Sequence, residues 1–148
     1  MKDANYAAGL AIRTRVLGPA HVARALEAAT DFDREWQRFV TSHAWGAVWT
    51  RRGLEARTRS LLTIAILAAL GREEELRLHV RATRNTGATR VEVKETLLHL
   101  AVYAGVPAAN AAFRIAKAAF AEMAAEPPVR ARATPAARKR RTPKRGAR

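Results

Sequence analysis

The sequence contains no cysteine, and this absence removes several kinds of chemistry at once. Disulfide bonds, thiolate metal sites and dithiol redox centres all need the missing thiol. The four histidines, His21, His43, His79 and His99, do not fall into an H-E-x-x-H or comparable ligand spacing. The sequence therefore predicts neither a redox centre nor a metal site.

Long apolar runs and glycine-rich phosphate loops are missing as well. The longest apolar stretch, residues 61–70, contains Thr63 and is too short to cross a bilayer. The eight glycines are scattered and form no G-x-G-x-x-G motif. Residues 1–9 are polar and do not resemble a signal peptide. We therefore expect a soluble, cytoplasmic protein that makes no contact with membranes.

Positive charge is abundant, but much of it is concentrated at one end of the chain. The formal net charge is +14, and residues 129–148 hold seven arginines, two lysines and no acidic residue, which leaves +5 elsewhere. Pro127 and Pro128 stop the preceding helix, and the segment beyond has almost nothing to bury. We expect one helical domain over residues 1–125 and a disordered tail over 126–148. Such a tail can make weak, non-specific contacts with nucleic acid.

Hydrophobic spacing predicts an all-α domain, because no segment shows sustained strand alternation. The predicted helices cover about residues 6–16, 21–29, 31–41, 54–70, 73–86, 89–103 and 107–123. Asp31 is a candidate N-cap of the third helix, Gly87 is expected to end the fifth, and Thr89 with Glu92 matches the capping-box pattern at the start of the sixth. An aromatic connector over 43–49 is predicted between the third and fourth helices. The helix over 54–70 is apolar on nearly all sides, which predicts burial in the core or between subunits. With the next helix it forms a central antiparallel hairpin.

Two histidines are candidates for acid–base chemistry. Glu95 and His99 are four residues apart on one helix, where a carboxylate raises the pKa of a neighbouring imidazole. They could form a general acid or an ordinary surface pair. His79 shares its side of a helix with Leu76 and Val80, so we expect it to face inward, as a catalyst or as a core histidine.

Arginines flank the start of the fourth predicted helix. They are Arg51, Arg52, Arg57 and Arg59. A guanidinium can hold a carboxylate through two parallel hydrogen bonds, which makes this cluster a candidate anion site. The alternative is a solvated charged surface, which is the interpretation that we prefer for Arg52.

Aromatic and amide side chains could complete a pocket. Trp45, Trp49 and Tyr103 could form its walls, although aromatic residues at such spacing commonly belong to a core. Asn110 and Arg114 are four residues apart on the last predicted helix. They could donate hydrogen bonds to a ligand or serve local packing.

Six blocks of sequence, taken together, carry a family resemblance. They are Val16-Leu-Gly-Pro-Ala-His-Val; His43-Ala-Trp-Gly-Ala-Val-Trp-Thr-Arg; Gly53-Leu with Arg57-Thr-Arg-Ser; Glu74-Glu-Leu-Arg-Leu-His; Asn85-Thr-Gly-Ala-Thr-Arg; and Leu97-Leu-His with Ala101-Val-Tyr-Ala-Gly-Val-Pro-Ala-Ala-Asn. Spanning roughly residues 6–124, they resemble the γ-carboxymuconolactone (4-carboxymuconolactone) decarboxylase family. The wider superfamily resembles the alkylhydroperoxidase D fold, which implies an all-α domain that forms a homo-oligomer, a trimer or a hexamer.

The resemblance also distinguishes two branches of that superfamily. Peroxidase members carry C-x-x-C followed by a histidine, and these positions match Arg72, Glu75 and His79 here. Without thiols the resemblance implies the decarboxylase branch, and the retained histidine favours a functional His79. Ala104 stands where some relatives have cysteine, and the basic tail lies outside the family pattern.

The implied activity is decarboxylation of 4-carboxymuconolactone to β-ketoadipate enol-lactone in aromatic catabolism. The conjugated lactone absorbs its own negative charge, so no cofactor is expected. We assign the proton donor to His79, with the Glu95 and His99 pair as the competing choice. Arg51 and Arg59 are expected to hold the acetate arm, with Arg57 behind them.

The remaining assignments concern the pocket walls and the competing functions. The departing carboxylate is expected against Trp45 or Tyr103, and Asn110 is a candidate substrate donor. Three alternatives stay open. They are a lyase or isomerase for another small carboxylated lactone, a protein whose tail binds nucleic acid, and a non-catalytic member that only oligomerises.

Overall fold

The computed structural model describes residues 4–126, and each regular element in that range is a helix. The elements are α1 (Ala4–Leu17), α2 (Pro19–Glu27), α3 (Arg34–Val40), a π-helical segment (Thr41–Trp49), α4 (Ala56–Ala69), α5 (Glu73–Thr86), α6 (Arg90–Ala104) and α7 (Val106–Ala125). The predicted all-α class is confirmed. Apart from Glu126, the predicted tail lies outside the described residues. Within them, no helix is both long and apolar enough to span a bilayer.

Helices α4 to α7 enclose the main core. Ile64, Val80, Val93 and Leu97, one from each of α4 and α5 and two from α6, are completely buried. A turn at 70–72 joins α4 to α5, and the two helices pack directly on each other as the predicted hairpin. The apolar side of α7, which includes Ala119, closes the cluster. This block holds α5 in place through one side of the helix and leaves its opposite side free to contact other elements.

Local signals explain where α5 ends and α6 begins. Gly87 adopts the left-handed conformation with φ of 82°, which suits a residue without Cβ. The Thr89 hydroxyl accepts a hydrogen bond from the Glu92 backbone N–H at 3.2 Å, and the Glu92 carboxylate accepts one from the Thr89 N–H at 2.8 Å. The capping box predicted from the sequence is therefore confirmed.

A second layer forms where α1 packs against the π-helical segment. Two glycines allow their backbones to touch. A Cβ on Gly9 would lie 2.0 Å from the Thr41 carbonyl oxygen, and one on Gly46 would lie 2.1 Å from the Asn5 carbonyl oxygen. The Arg13 guanidinium also crosses this contact. It donates to the Thr41 hydroxyl at 2.9 Å and to a second acceptor on α3.

The predicted aromatic connector over 43–49 is wrong, because those residues continue α3 as a π-helical segment. Glycine and aromatic residues have low helix propensity, so the local sequence does not favour a helix there. The close contact with α1 supplies the stabilisation that local propensity lacks. π-Helical turns of this kind are rare and often occur at functional sites.

Two further expectations need correction. The predicted N-cap at Asp31 is wrong, because α3 begins at Arg34 after Asp33, whose carboxylate accepts from the Thr30 N–H at 2.7 Å. The expectation that α4 is buried on nearly all sides does not hold within one chain. Leu62 and Ile66 are 47% and 57% exposed. The alternative of burial between subunits therefore stays open.

Candidate active site

The π-helical segment presents two indoles to one side of α5. Trp45 and Trp49 have ring centroids 5.0 Å apart. Both face His79, whose ring centroid lies 6.4 Å from that of Trp45 and 6.3 Å from that of Trp49. The imidazole is nearly parallel to the Trp45 ring, at 7°. The fold thus places one imidazole against two aromatic walls.

Burial makes the His79 imidazole hard to protonate. Loss of solvent lowers its pKa to about 4; Glu75 nearby opposes this shift, and the charge of His21 adds to it. The Nδ1 atom is buried and has no hydrogen-bond partner among residues 4–126. His79 is therefore neutral at pH 7 and holds an unused polar atom, a state that suits a group awaiting a ligand.

A cationic cavity, which Trp49 also lines, opens between α1 and residues 49–56. Its volume is about 470 Å³. Arg15, Arg51 and Arg52 contribute to its wall, and no acidic residue among those described lines it. Trp49 and Leu54 add apolar surface. The cavity therefore fits a small anion with an apolar body. Sequence reasoning missed Arg15, because its spacing carries no signal that α1 lies beside this loop.

Two of the predicted substrate-binding arginines have structural partners. Arg59 donates to the backbone carbonyl of Arg51 at 3.0 Å, so it holds the loop that carries Arg51. Arg57 binds the Glu92 carboxylate, with 2.7 Å between Nε and Oε1. The Arg57 guanidinium and the Thr89 cap lower the pKa of Glu92 to about 2. Arg57 thus joins α4 to the start of α6.

Three other candidates lie together on the outer side of α6, away from His79. The His99 and Tyr103 rings are 4.8 Å apart, and Tyr103 is 78% exposed. Both line a groove of about 620 Å³ between α4 and α6, which is otherwise mostly apolar. Glu95 pairs with Lys94 at 3.2 Å, and no ion pair in the described range joins Glu95 to His99.

The two candidates on α7 belong neither to the site around His79 nor to the groove that His99 lines. Asn110 is exposed on α7, and Arg114 lies 3.3 Å from the Glu73 carboxylate. The structure therefore brings Trp45 to His79 and places Arg51 in the cavity that Trp49 also lines. It does not bring Glu95, His99, Tyr103 or Asn110 to the same cavity within one chain. No group of three or more side chains suited to a metal occurs in the part of the chain described.

Known proteins resemble this chain over most of its length. The model of the carboxymuconolactone decarboxylase family matches residues 34–118. The 4-carboxymuconolactone decarboxylase of Acinetobacter baylyi is 50% identical over 125 residues, which are 84% of this chain and 93% of that protein. The nitrosuccinic acid decarboxylase of Metarhizium robertsii is 44% identical over 99 residues, 67% of this chain and 69% of that protein. The matched range 34–118 includes Trp45, Arg51 and His79 but not Arg15.

Proposed function

The chain belongs to the carboxymuconolactone decarboxylase family, and from this premise we propose that it decarboxylates 4-carboxymuconolactone to β-ketoadipate enol-lactone. The enzyme is a carboxy-lyase of aromatic catabolism. The observation that carries the proposal is the 50% identity over 84% of the chain to a protein of that activity. The cationic cavity next to an imidazole and two indoles is the arrangement that such a substrate needs.

The substrate explains why side chains alone are enough. One ring carbon of the lactone bears a carboxylate and an acetate arm, and loss of carbon dioxide leaves an electron pair on that carbon. The ring double bond conjugates this pair to the lactone carbonyl, so the charge moves to oxygen. Protonation of the carbon beside the carbonyl then gives the enol-lactone. Because the substrate is its own electron sink, the reaction needs no cofactor.

Substrate binding is assigned to the cavity beside Trp49. Arg51 and Arg15 hold the acetate arm there by charge-assisted hydrogen bonds. Arg59 positions Arg51 through the backbone hydrogen bond at 3.0 Å. The ring packs on the apolar wall, and the departing carboxylate faces the indoles, where weaker solvation favours loss of charge. Arg57 binds Glu92 and so fixes the start of α4, which follows this loop, to α6.

Proton delivery is assigned to His79. Its pKa of about 4 means that the free enzyme holds a neutral imidazole. A doubly charged substrate bound close by raises that pKa, because an opposite charge favours the protonated ring. The protonated His79 can then act as the general acid. His79 does not line the cavity, whereas Trp49 both lines it and stacks on His79, so we propose that this half-buried indole turns aside during the reaction.

The competing proton donor is the Glu95 and His99 pair. In one chain these side chains lie on the outer side of α6, so they could act only at a site completed by a second copy. Leu62 and Ile66 in the same groove are 47% and 57% exposed. Contiguous exposed apolar side chains are typical of interfaces between protein chains. We propose that copies of the chain associate here as a trimer or hexamer. Ile66→Glu should then reduce the mass measured by light scattering.

A second candidate function is decarboxylation of another small carboxylated acid. The relative from Metarhizium robertsii, 44% identical, is named for nitrosuccinic acid, so the family accommodates more than one substrate. That compound also loses carbon dioxide next to an electron-withdrawing group. The cavity of about 470 Å³ is large enough for either compound.

Two further proposals rest on the sequence. We place the enzyme in the cytoplasm, and we propose that residues 129–148 contact nucleic acid weakly through their nine basic side chains. Removal of residues 127–148 should abolish retention on a nucleic-acid column and leave lactone turnover unchanged. Loss of turnover in the shortened chain would contradict an accessory role for this segment.

The decisive experiment supplies the purified protein with 4-carboxymuconolactone and, separately, with nitrosuccinate. No cofactor is added, and carbon dioxide and the organic product are both measured. We expect turnover of the lactone with formation of the enol-lactone. Turnover of nitrosuccinate alone would favour the second candidate, and turnover of neither would contradict both.

A further inference from the structure

A second basic cavity lies between α2 and α5, outside the proposed catalytic site. Its volume is about 430 Å³. The polar part of its wall consists of His21, Arg24, Arg81, Arg84 and Asn85. None of its lining residues also lines the cavity beside Trp49. Apart from the charge of His21, which lowers the pKa of His79, the residues of this wall have no part in the proposed reaction.

Two arginines of the cavity wall are already paired with carboxylates that lie outside the wall. Arg84 lies 2.7 Å from an oxygen of Glu126, and Arg81 lies 3.1 Å from one of Glu122. Both acidic residues come from the end of α7. On the opposite wall, Arg24 forms no ion pair with any described residue. One guanidinium facing the cavity is thus left without a counter-charge.

A buried arginine adds to the positive potential. Arg13 is only 6% exposed, and its guanidinium donates to two neutral acceptors, Thr41 at 2.9 Å and Gln37 at 3.0 Å. Its Nε has no partner among the described residues. Burial lowers the pKa of His21, and the charges of Arg13 and Arg24 lower it further. The cavity wall thus lies in a positive field that no acidic lining residue offsets.

The remaining wall defines the shape of a ligand. Leu17 and Leu78 contribute apolar surface that can accept a short methylene chain. The Asn85 amide nitrogen already donates to the Val16 carbonyl at 2.9 Å, so its free oxygen can accept a hydroxyl. Arg24 offers the forked donors that match a carboxylate. A volume of about 430 Å³ lies within the range of small-molecule sites.

We propose that the cavity between α2 and α5 binds a small di- or tricarboxylate at a site separate from the lactone cavity. Arg24 clamps one carboxylate, His21 donates to another, and the apolar wall holds the carbon chain. Arg81 and Arg84 share their charge between the ligand and Glu126. The site therefore suits a ligand that is bound and not consumed.

Citrate is a suitable probe because it carries three carboxylates and a hydroxyl on a short chain. We would titrate it into the full-length protein by calorimetry, with ionic strength held constant by sodium chloride. We expect saturable binding that Arg24→Ala weakens at least tenfold. Arg72→Ala removes the same charge from an exposed residue outside both cavities and should bind like the wild type. No saturable heat, or equal weakening in both variants, would overturn the proposal.

Lactone kinetics test whether the two cavities are separate. At saturating citrate we expect the KM for the lactone to be the same in the wild type and in Arg24→Ala. A rise in KM that Arg24→Ala abolishes would make this cavity the substrate's own site and overturn the separation. The calorimetric test uses no lactone, so its outcome is independent of whether the proposed reaction is correct.

Discussion

On one side of the molecule His79 lies half-buried against two indoles, and on the other His99 lies exposed against the Tyr103 ring. Both imidazoles belong to helices of the same hydrophobic block, His79 to α5 and His99 to α6, and both contact aromatic rings. Burial lowers the pKa of His79 to about 4. The comparison teaches that burial and neighbours, rather than residue type, separate a candidate catalyst from a surface histidine.

The surroundings of the two histidines differ in charge as well. Next to His79, Trp49 lines a cavity with three guanidiniums, whereas His99 borders a largely apolar groove between α4 and α6. The first environment suits a small anion, and the second suits the apolar surface of another chain. Four predictions test whether this division is correct, from the largest expected effect to the smallest.

Replacing each histidine in turn gives the most direct test. We expect His79→Gln to lower kcat about 100-fold or more, because it removes the proposed general acid. His99→Gln is the matched control and should change kcat less than about twofold. Steady-state measurement of carbon dioxide release checks both variants. If His99→Gln were the slower variant, the proton donor would lie on the α6 side.

The packing of the indoles depends on the glycine contact with α1. Gly46→Ala places a Cβ 2.1 Å from the Asn5 carbonyl oxygen, where the backbone must move. We expect the free energy of unfolding to fall by about 3 kcal/mol or more. Gly53→Ala is the control, since no atom lies within 4 Å of its added Cβ. Urea unfolding monitored by tryptophan fluorescence measures both, and equal midpoints would contradict the described contact.

Acid should destabilise the fold partly through His79. Its folded pKa of about 4 lies below the ordinary 6.5, so the unfolded chain binds the proton more readily. This part of the stability is complete above pH 6.5 and is lost as the pH falls towards 4. The loss amounts to at most about 3.5 kcal/mol, from about 1.4 kcal/mol per pKa unit.

His79→Gln should remove this part of the pH dependence. Urea unfolding at pH 7 and pH 4.5 for both proteins measures the difference. Carboxylates such as Glu92, whose pKa is about 2, titrate in both proteins and cancel in the comparison. If the free energy of unfolding depended on pH identically in the two proteins, His79 would be more exposed to solvent than the structure shows.

The arginines provide the smallest expected effect. Arg51→Gln should raise the KM for the lactone about tenfold, equivalent to about 1.4 kcal/mol, because it removes a charge from the cavity wall. Arg57→Gln should change KM less, since Arg57 already binds Glu92. Steady-state KM values for the two variants decide between them. A larger effect at Arg57 would place the acetate arm nearer to α6.

Local sequence signals predicted much of the fold. Thr89 and Glu92 marked the start of α6, and Gly87 marked the end of α5, because caps depend on neighbours a few residues away. The π-helical segment was not predicted, since its stability comes from contact with α1. The candidate site combines residues that the sequence pointed to with one that it did not. His79, Trp45 and Arg51 were named from the sequence, but Arg15 was not.

The sequence by itself determined the helical class, most helix ends and the absence of thiol chemistry, because these depend on composition and short-range hydrogen bonding. Only the tertiary structure separated His79 from His99 and placed Arg15 beside Arg51. Burial and charge neighbourhood depend on residues far apart along the chain. The contact of α1 with the π-helical segment, made possible by Gly9 and Gly46, is the long-range event that builds this side of the molecule.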